Sequence, residues 1–383
     1  MSLDSSIQYD FIFAGTGCAS LSIVMRMIDS GKFADKKILL IDKNLKNRND
    51  RTWCFWEKEN GYFENIVHKK WDDLLFKTNE LSISLEIDPY QYKMIRGIDF
   101  YNYCFSKIRL QPNIEIKPGE ISFKEKEIKI NDELLPVNNA IVFNSILNTS
   151  KKPQDKFYLL QHFKGWIIET PSDQFNHHQG TLMDFGVSQN SGTAFIYVLP
   201  LAPNKALVEY TLFTESLLQK EEYDLQLTQY IKHHLNIGDF KLIEEEFGVI
   251  PMTNEDFAPN ENGMFNIGTA GGQTKPSTGY TFQFIQKQAQ QIVQELITNG
   301  HPSKKINLKK RFHFYDSTLL HILSKNKLQG KEVFTHLFKK NKAAKVFKFL
   351  DNETTLKEEL KIISSLPTKE FLVAGVKELI KML

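Results

Sequence analysis

The chain has 383 residues, 41% of them hydrophobic, and a formal net charge of +2. This length suggests one large domain or two interleaved ones, with enough apolar residues for a sizeable core. The three cysteines show no C-x-x-C spacing, so we predict neither a metal site nor a redox dithiol. No cationic segment typical of secretion begins the chain, and no apolar run approaches about 18 residues. We therefore expect a cytoplasmic protein that does not cross a membrane.

The first predicted elements form a βαβ unit. Tyr9–Ala14 is a short apolar run typical of a buried strand, and Ala19–Ile28 has the apolar spacing of a helix that ends at Gly31. Lys37–Ile41 is a second apolar strand, and it ends on Asp42. Strand, glycine turn, helix and strand in this order predict a parallel sheet that is buried on both faces.

Later elements are predicted from the same periodicities. Strands are expected at residues 81–87, 140–143, 195–199, 206–210 and 265–267, and helices at 99–108 and 280–297. The strands at 195–199 and 206–210 are separated by a short polar loop, which predicts an antiparallel pair. From Asn307 onward the pattern is helical and rich in Lys and Phe.

The turn after the first strand is the strongest local motif. Gly15 permits a tight turn, and Gly17 lets a pyrophosphate approach the backbone amides at the start of the following helix. Ser20 replaces the usual third glycine and is small enough for close packing of helix on strand. Asp42 lies where an acid accepts hydrogen bonds from a ribose diol. A turn without function is the alternative, but strand, glycines, helix and terminal acid together favour a dinucleotide site.

A second glycine-rich loop precedes the long helix predicted at 280–297. It consists of GTAGG at residues 268–272 and PSTGY at residues 276–280. Backbone amides in such a loop can approach the ribityl chain and the pyrimidine side of a flavin. Many flavoproteins have Asp after the first glycine, whereas this chain has Thr269. The alternative is a loop that is glycine-rich for geometry alone, but two such loops, each opening a helix, favour FAD over NAD.

Two further segments carry candidate polar residues. In the segment DRTWCFW at residues 50–56, Arg51 is suited to a phosphate or ribose and Trp53 to a pocket wall, although a packed aromatic loop with a surface Arg fits equally. Glu209 alternates with Val208 and Tyr210 along a strand and so faces the opposite side. A lone acid in a strand usually faces solvent. If that face is closed and apolar, burial raises the pKa of Glu209 and makes it an acid–base group. Asp184 poses the same question.

The C-terminal region is strongly basic. Residues 301–383 contain 18 Lys and Arg against 8 Asp and Glu, a net charge of +10, whereas the first 300 residues have a net charge of −8. The simple interpretation is a solvated helical face. The alternative is attraction to an anionic membrane surface, with apolar anchors at Phe334, Leu337, Phe338, Phe347, Phe349 and Leu350. Nucleic acid binding has no supporting motif.

Six segments together resemble the lycopene cyclases of the bacterial carotenoid pathway. In chain order they are DFIFAGTGCASLS, DRTWCFW, YKMIRGIDFY, FIYVLPLAPNKALVEYT, EFGVIPM and TAGGQTKPSTGYTF. They span most of residues 9–285. The resemblance implies FAD in its reduced form, NAD(P)H as electron donor, and lycopene as the substrate of an isomerisation with no net redox change that yields β-ionone rings. It also implies that the acid of the family's strand motif falls on Glu209, with Tyr210 where a second acid stands in plants.

The resemblance also implies an architecture. We expect an α/β fold with a Rossmann-type FAD-binding domain of the aromatic hydroxylase kind, built from residues 1–65, 95–150 and 245–300. An interleaved substrate domain with an antiparallel sheet is expected at 66–94 and 151–244. A C-terminal helical region at 301–383 is expected to attach the protein to the inner face of the cell membrane.

The expected site residues follow the matching motifs. Glu209 is the predicted catalytic acid. The expected substrate-side residues are Trp53, Trp166, Asp184 and Tyr210. The expected FAD-binding residues are Gly15, Gly17, Ser20, Asp42, Arg51, Arg96, Gly268, Gly271, Gly272, Thr278 and Gly279.

Other flavin enzymes remain open as alternatives. A monooxygenase or a prenyl-chain reductase acting on a long apolar substrate would use a similar scaffold. Against hydroxylases, the chain has no Asp-Gly dipeptide. A flavin-carrying lipid-binding module without turnover is the alternative from a different class.

Overall fold

The computed structural model describes residues 8–44, 46–124, 127–135, 137, 139–147, 155–303 and 310–382. Its strands are β1 (Phe11–Ala14), β2 (Ile38–Asp42), β3 (Thr52–Glu57), β4 (Lys69–Trp71), β5 (Asp73–Lys77), β6 (Ser82–Glu86), β7 (Gln91–Arg96), β8 (Ile114–Pro118), β9 (Ile121–Lys124), β10 (Glu127–Ile130), β11 (Glu133–Leu135), β12 (Ile141–Asn144), β13 (Tyr158–Glu169), β14 (Gln179–Asp184), β15 (Thr193–Ala202), β16 (Lys205–Thr214), β17 (Lys241–Thr253), β18 (Asn260–Glu261) and β19 (Met264–Asn266). Its helices are α1 (Cys18–Ser30), α2 (Gly97–Ile108), α3 (Lys220–His233), α4 (Phe282–Asn299), α5 (Lys310–Ser324), α6 (Gly330–Lys340), α7 (Ala343–Leu350), α8 (Leu356–Ile363) and α9 (Thr368–Met382).

The first of two large sheets is the predicted parallel one. Its strand order is β18-β19-β12-β1-β2-β8, and every pair except β18–β19 is parallel. The apolar runs of β1 and β2 are buried because α1 and α4 cover one face and the small sheet β11-β10-β9 packs on the other. Helix α1 ends at Gly31 in a left-handed conformation, as the periodicity predicted.

The second large sheet has the order β17-β13-β16-β15-β14-β5-β6. Long antiparallel strands form its centre, including the predicted pair β15–β16. The sheet is not purely antiparallel, because β14 pairs in parallel with β5. Alternation along the central strands gives it two apolar faces. Helix α3 covers one face, while α6 and α7 pack against part of the other.

The two sheets interleave along the chain, and the boundaries differ in part from those predicted. Strand β17 remains in the second sheet until Thr253. The chain therefore returns to the part that contains the parallel sheet about eight residues after residue 245, where the FAD-binding domain was expected to continue. Strand β3 pairs with β7 in a separate three-stranded sheet, β3-β7-β4, which connects the two units. A boundary at residue 65 therefore divides residues that share one sheet.

The C-terminal region is helical, as predicted, but its large apolar residues are part of the core. Phe334, Leu337, Phe338 and Phe347 are buried against the second sheet, and Phe349 and Leu350 are partly buried. These side chains are therefore not free to act as membrane anchors. The stretch 304–309 lies outside the described residues. Among the described helices none is long and apolar enough to span a membrane.

Candidate active site

A cleft opens between the parallel sheet and the second sheet. It has a volume of about 490 Å³. Strands β13, β16 and β17 supply one wall, and β3 with the second glycine-rich loop supplies the other. The second glycine-rich loop meets the cleft, whereas no residue of the first glycine turn is among the described residues that line it. The lining includes Arg51, Trp53, Glu209, Glu246, Thr278, Gly279 and Tyr280.

The turn after β1 has the geometry of a phosphate cradle. Gly15 has φ +95°, and a Cβ there would lie 2.3 Å from the Ser145 Oγ. Gly17 precedes α1, and a Cβ there would meet no atom within 4 Å. The amides that open α1 therefore face open space, where an anion would be stabilised by the helix dipole. The buried Ser20 Oγ has no hydrogen-bond partner among the described residues.

Asp42 holds this turn in place. Its Oδ2 accepts hydrogen bonds from the Thr16 backbone N–H (2.7 Å) and from the Thr16 Oγ1 (3.0 Å). The Lys46 Nζ lies 3.6 Å from the same oxygen. The acid therefore sits at the carboxyl end of β2, beside the glycine turn, as its position in the sequence predicted.

The second glycine-rich loop approaches the first. Gly268 has φ +61°, and a Cβ there would lie 2.8 Å from the Ala19 Cβ on α1. Gly271 and Gly272 complete a short 3₁₀ turn that ends in a left-handed residue. Only glycine fits such a combination of positive φ and close approach. The two loops, 253 residues apart in sequence between Gly15 and Gly268, thus converge at the carboxyl ends of the parallel strands β1 and β19, which lie on either side of β12.

The cleft side of this loop carries unsatisfied polar atoms. Gly279 has φ +72°, and a Cβ there would lie 2.1 Å from the Gln161 Oε1. That oxygen and the Thr278 Oγ1 are buried without hydrogen-bond partners among the described residues. Buried polar groups normally have partners. Their position in the cleft fits a ligand with hydrogen-bonding edges beyond the phosphate cradle.

Glu209 lies on the cleft face of β16. Its neighbours Val208 and Tyr210 pack under α3 on the opposite face, as the alternation predicted. The Thr211 Oγ1 donates to the Glu209 Oε1 at 2.9 Å. Burial, followed by repulsion from the Glu246 carboxylate, raises the pKa of Glu209 well above its usual value. A carboxyl group with a raised pKa is suited to act as a general acid.

Glu246 is a site residue that the sequence did not reveal. It lies on β17, lines the cleft, and forms a hydrogen bond with Glu209. The Thr52 Oγ1 donates to its Oε2 at 2.8 Å. Burial raises the pKa of Glu246 as well. The run Glu244-Glu245-Glu246 is typical of a solvated edge strand, so only the segment EFGVIPM, already noted for its resemblance, marked this position.

Aromatic side chains line the region around Glu209. The Tyr92 and Tyr280 hydroxyls lie 3.3 Å apart, and Tyr197 also hydrogen bonds to Tyr280. Burial raises the pKa of the Tyr280 phenol to about 12, so it stays neutral. Trp53 packs edge-on against Phe100 at a centroid distance of 5.1 Å. Glu209 thus lies half-buried among aromatic side chains on the wall of the cleft.

A narrow apolar extension leads from the cleft under the C-terminal helices. It has a volume of about 30 Å³ and shares Tyr197, Thr278 and Tyr280 with the cleft. Trp56 stacks on Phe347 of α7 at 4.4 Å and so connects the small sheet to the helical region. The remaining walls are apolar, contributed by Leu182, Met183, Phe195, Phe213, Phe334, Leu337, Phe338 and Leu350.

Three of the four expected substrate-side residues lie away from the cleft. Trp166 and Tyr210 belong to the core under α3. Asp184 is buried, accepts a hydrogen bond from the Tyr230 hydroxyl of α3 at 2.6 Å, and lies 3.5 Å from the Lys77 Nζ. Alternation places these side chains on the opposite face of the sheet from Glu209. Their positions correct the expectation for them, whereas Trp53 lies in the cleft.

The two expected arginines differ in position. Arg51 lines the cleft and pairs with Asp50 at 3.2 Å. Arg96 ends β7 and forms a two-point ion pair with Asp99, with distances of 2.6 and 2.8 Å. Arg96 is not among the described residues that line the cleft, because Asp99 in the first turn of α2 holds it. In the described part of the chain, no group of three or more His, Cys, Asp or Glu is arranged to hold a metal ion.

Comparisons with known proteins agree with this architecture. Residues 10–374 match the sequence model of a family described as lycopene cyclase protein. A lycopene beta-cyclase from Pantoea ananas is 23% identical over 298 residues, covering 72% of this chain and 71% of that protein. A flavoprotein/dehydrogenase from Cytophaga hutchinsonii has a TM-score of 0.63 at 10% identity, covering 97% and 100% of the two chains. A geranylgeranyl bacteriochlorophyll reductase-like protein from Thermoplasma acidophilum has a TM-score of 0.58 at 14% identity, covering 98% and 99%. The predicted fold class is confirmed.

Proposed function

Because the chain belongs to the lycopene cyclase family, we propose that it is a lycopene β-cyclase. It would convert the acyclic ends of lycopene to β-ionone rings, with reduced FAD and without net redox change. The observation that carries this proposal is Glu209, a carboxyl group with a raised pKa in an aromatic cleft beside two converging glycine-rich loops. The similarity to a lycopene beta-cyclase over 72% of the chain supports it.

The residues of the cleft fit FAD. The first glycine turn, Ser20 and Asp42 would hold the ADP half, and the loop around Gly268 the flavin half. The Gln161 Oε1 and Thr278 Oγ1, which are buried without partners among the described residues, would form hydrogen bonds with the edge of the flavin ring. When bound, reduced FAD supplies negative charge beside the reacting end of the substrate. NAD(P)H is the proposed electron donor.

The side chains of the cleft would carry the acid–base chemistry. Glu209 would donate its proton to the terminal alkene and so produce a tertiary carbocation. Closure of a six-membered ring moves this charge, and loss of a neighbouring proton ends the reaction. The faces of Trp53, Tyr197 and Tyr280 would exclude water and stabilise the cation through cation–π contacts.

We also propose that the C-terminal region attaches to the anionic inner face of the cell membrane, where lycopene dissolves. The side chains suited to this are exposed apolar residues of α8 and of α9, not the buried phenylalanines. They are Leu356, Leu360, Leu372, Val373, Val376, Leu379 and Ile380, which are 51–67% exposed. Exposed lysines at 357, 361, 369 and 377 accompany them and match a negative surface.

The test is an anaerobic incubation with lycopene in liposomes, FAD and NADPH, followed by chromatography of the carotenoids. We expect cyclic products of the same mass as lycopene, with NADPH needed only to keep FAD reduced. Glu209→Gln should bind FAD normally and lose at least about 100-fold in cyclisation rate, since a general acid contributes 10²–10⁴-fold. The control is Glu245→Gln, which changes the neighbouring residue on β17 whose side chain points away from the cleft and pairs with Lys164. Full activity in Glu209→Gln would remove Glu209 from the mechanism.

A prenyl-chain reductase is the second candidate. The similarity of fold to a geranylgeranyl bacteriochlorophyll reductase-like protein over 98% of the chain motivates it. Such an enzyme would consume NADPH in proportion to product and add two hydrogens to the substrate. Product mass and NADPH stoichiometry therefore distinguish it from the cyclase.

A further inference from the structure

We infer that Glu209 and Glu246 work as one carboxyl pair that shares a single proton, and that the absence of a side chain at Gly165 allows the two to meet. This inference rests on the proposed cyclisation and assigns Glu246 a role in it. The charge of Glu246 would keep the pair protonated before the reaction. After ring closure, the pair would take up the proton that the substrate releases.

Strand register places the two acids on either side of one glycine. On β13, Gly165 is opposite Glu209 of β16 and also opposite Glu246 of β17. Three adjacent strands put the outer two residues about 10 Å apart in backbone position. Two glutamate side chains can span that distance only by leaning over the residue between them.

Gly165 leaves the space that this requires. A Cβ at this position would lie 3.1 Å from the Glu246 Cγ and 3.3 Å from its Oε1. It would also lie 3.0 Å from the Leu207 Cδ1. The Glu246 side chain therefore packs directly over Gly165, and a methyl group at position 165 would force Glu246 and Leu207 to shift by a few tenths of an ångström.

Hydrogen bonds orient both acids toward each other. Thr211 donates to one oxygen of Glu209, and Thr52 donates to one oxygen of Glu246. The two carboxyl groups then hydrogen bond to each other, which needs a proton on one of them. Two like charges in hydrogen-bond contact resist joint ionisation, so the pair retains one proton that separate glutamates would lose.

The other ionisable groups around the pair do not neutralise it. Cys54, Tyr92, Tyr197 and Tyr280 face it from β3, β7, β15 and the loop before α4, and burial raises the pKa of each, so all are neutral. Asp50 and Glu244 add negative charge near Glu246. Among the described residues lining the cleft, Arg51 is the only cation, and Asp50 pairs with it.

The pair balances the proposed reaction. It gives one proton to a terminal alkene carbon, forming a C–H bond and a tertiary carbocation. The π electrons of a second alkene form the ring C–C bond and move the positive charge. A proton from the adjacent carbon returns to the pair and leaves a new C=C bond. Two ionised carboxylates face the cation between these steps, and no oxidant or reductant is consumed.

The first experiment is the pH profile of cyclisation by the FAD-loaded Glu246→Gln enzyme. Without the second charge, Glu209 should lose its proton at lower pH, so the alkaline fall in kcat/KM should move to lower pH by about one unit or more. At a pH above the alkaline fall of both the wild type and Glu246→Gln, this shift corresponds to about a tenfold lower kcat/KM in the variant. FAD affinity should not change. Gly165→Ala should shift the profile in the same direction, and Glu245→Gln should leave it unchanged.

A second measurement does not depend on turnover. The holoenzyme carrying ¹³C-carboxyl glutamate should show a protonated-acid C=O band in infrared titration that persists at neutral pH. The band should move to lower pH in Glu246→Gln and disappear in Glu209→Gln. An unchanged band and an unchanged pH profile in Glu246→Gln would overturn the shared proton even if cyclisation is found. The expected band shift with no cyclic product would leave the pair standing and remove the proposed reaction.

Discussion

In the first glycine turn, Gly15 is required by the fold, whereas Gly17 is suited to binding a ligand. Gly15 adopts φ +95° and contacts Ser145, so its lack of a side chain serves the protein's own structure. Gly17 has φ −78°, which any residue adopts, and open space in front of it. Because the backbone of the turn does not require glycine at position 17, a ligand that approaches the backbone there is the best explanation for it.

Alanine substitutions at these two positions should therefore affect different properties of the protein, stability at Gly15 and FAD binding at Gly17. Gly15→Ala should lower the free energy of unfolding of the FAD-free protein by about 1–3 kcal/mol because of backbone strain. Gly17→Ala should change it by less than about 0.5 kcal/mol but weaken FAD binding by about tenfold or more, since the methyl group would occupy the place of the pyrophosphate. Urea unfolding and FAD fluorescence titration measure the two quantities. Equal loss of stability in both variants would contradict this assignment.

At the scale of elements, α9 has two different faces. Ala374 and Glu378 are buried against α5, where the His321 Nδ1 lies 2.7 Å from the Glu378 Oε1. The opposite face exposes Leu372, Val376 and Ile380. An exposed apolar stripe on a helix that is anchored by its other side is typical of a surface that binds a partner or a membrane.

Replacing Leu372, Val376 and Ile380 together by Ser should weaken binding to vesicles that contain anionic lipid by at least about tenfold, because burial of each side chain contributes about 1.5–3 kcal/mol. The measurement is co-sedimentation with vesicles at low and high salt, and binding should also decrease with salt. Leu225→Ser, which removes an exposed leucine from α3, is the control. Absence of wild-type binding at low salt would contradict the proposed attachment.

At the scale of the whole molecule, buried ionisable groups make stability depend on pH in two directions. The His162 Nδ1 lies 2.6 Å from the Tyr223 hydroxyl, and its Nε2 lies 2.7 Å from the Thr214 Oγ1. Burial lowers the pKa of His162 from 6.5 to about 4. The unfolded chain then binds more protons than the folded one in this window, so stability falls as pH falls from 6.5 toward 4. The Glu209–Glu246 pair has raised pKa values and acts in the opposite direction, losing stability as pH rises above about 4.5.

Unfolding of the FAD-free protein by urea at several pH values measures these contributions. His162→Gln should remove up to about 3 kcal/mol of the loss of stability between pH 6.5 and 4. Glu209→Gln should flatten the decline above pH 4.5. If the slope between pH 6.5 and 4 is the same in wild type and His162→Gln, the folded protein does not exclude the proton from this imidazole.

The local pattern was enough to predict β1, α1 and β2 within one or two residues, because their burial and periodicity are complete within each segment. Alternation along β16 was likewise enough to place Glu209 and Tyr210 on opposite faces. It did not say which face was the cleft. Trp166, Asp184 and Tyr210 were therefore expected near the substrate, although their side chains lie on the face of the second sheet that α3 covers.

By itself, the sequence determined the βαβ unit, the two glycine-rich loops, the acid on β16 and the family. The first three depend on neighbouring residues whose backbone geometry and burial follow from local spacing, whereas the family follows from the resemblance of six segments along the chain. Only the tertiary structure decided that Glu246 meets Glu209 over Gly165, and that the phenylalanines of α6 and α7 pack in the core while one face of α9 is exposed. These features depend on the register of strands far apart in sequence and on which helix face finds a partner, and no local pattern contains that information.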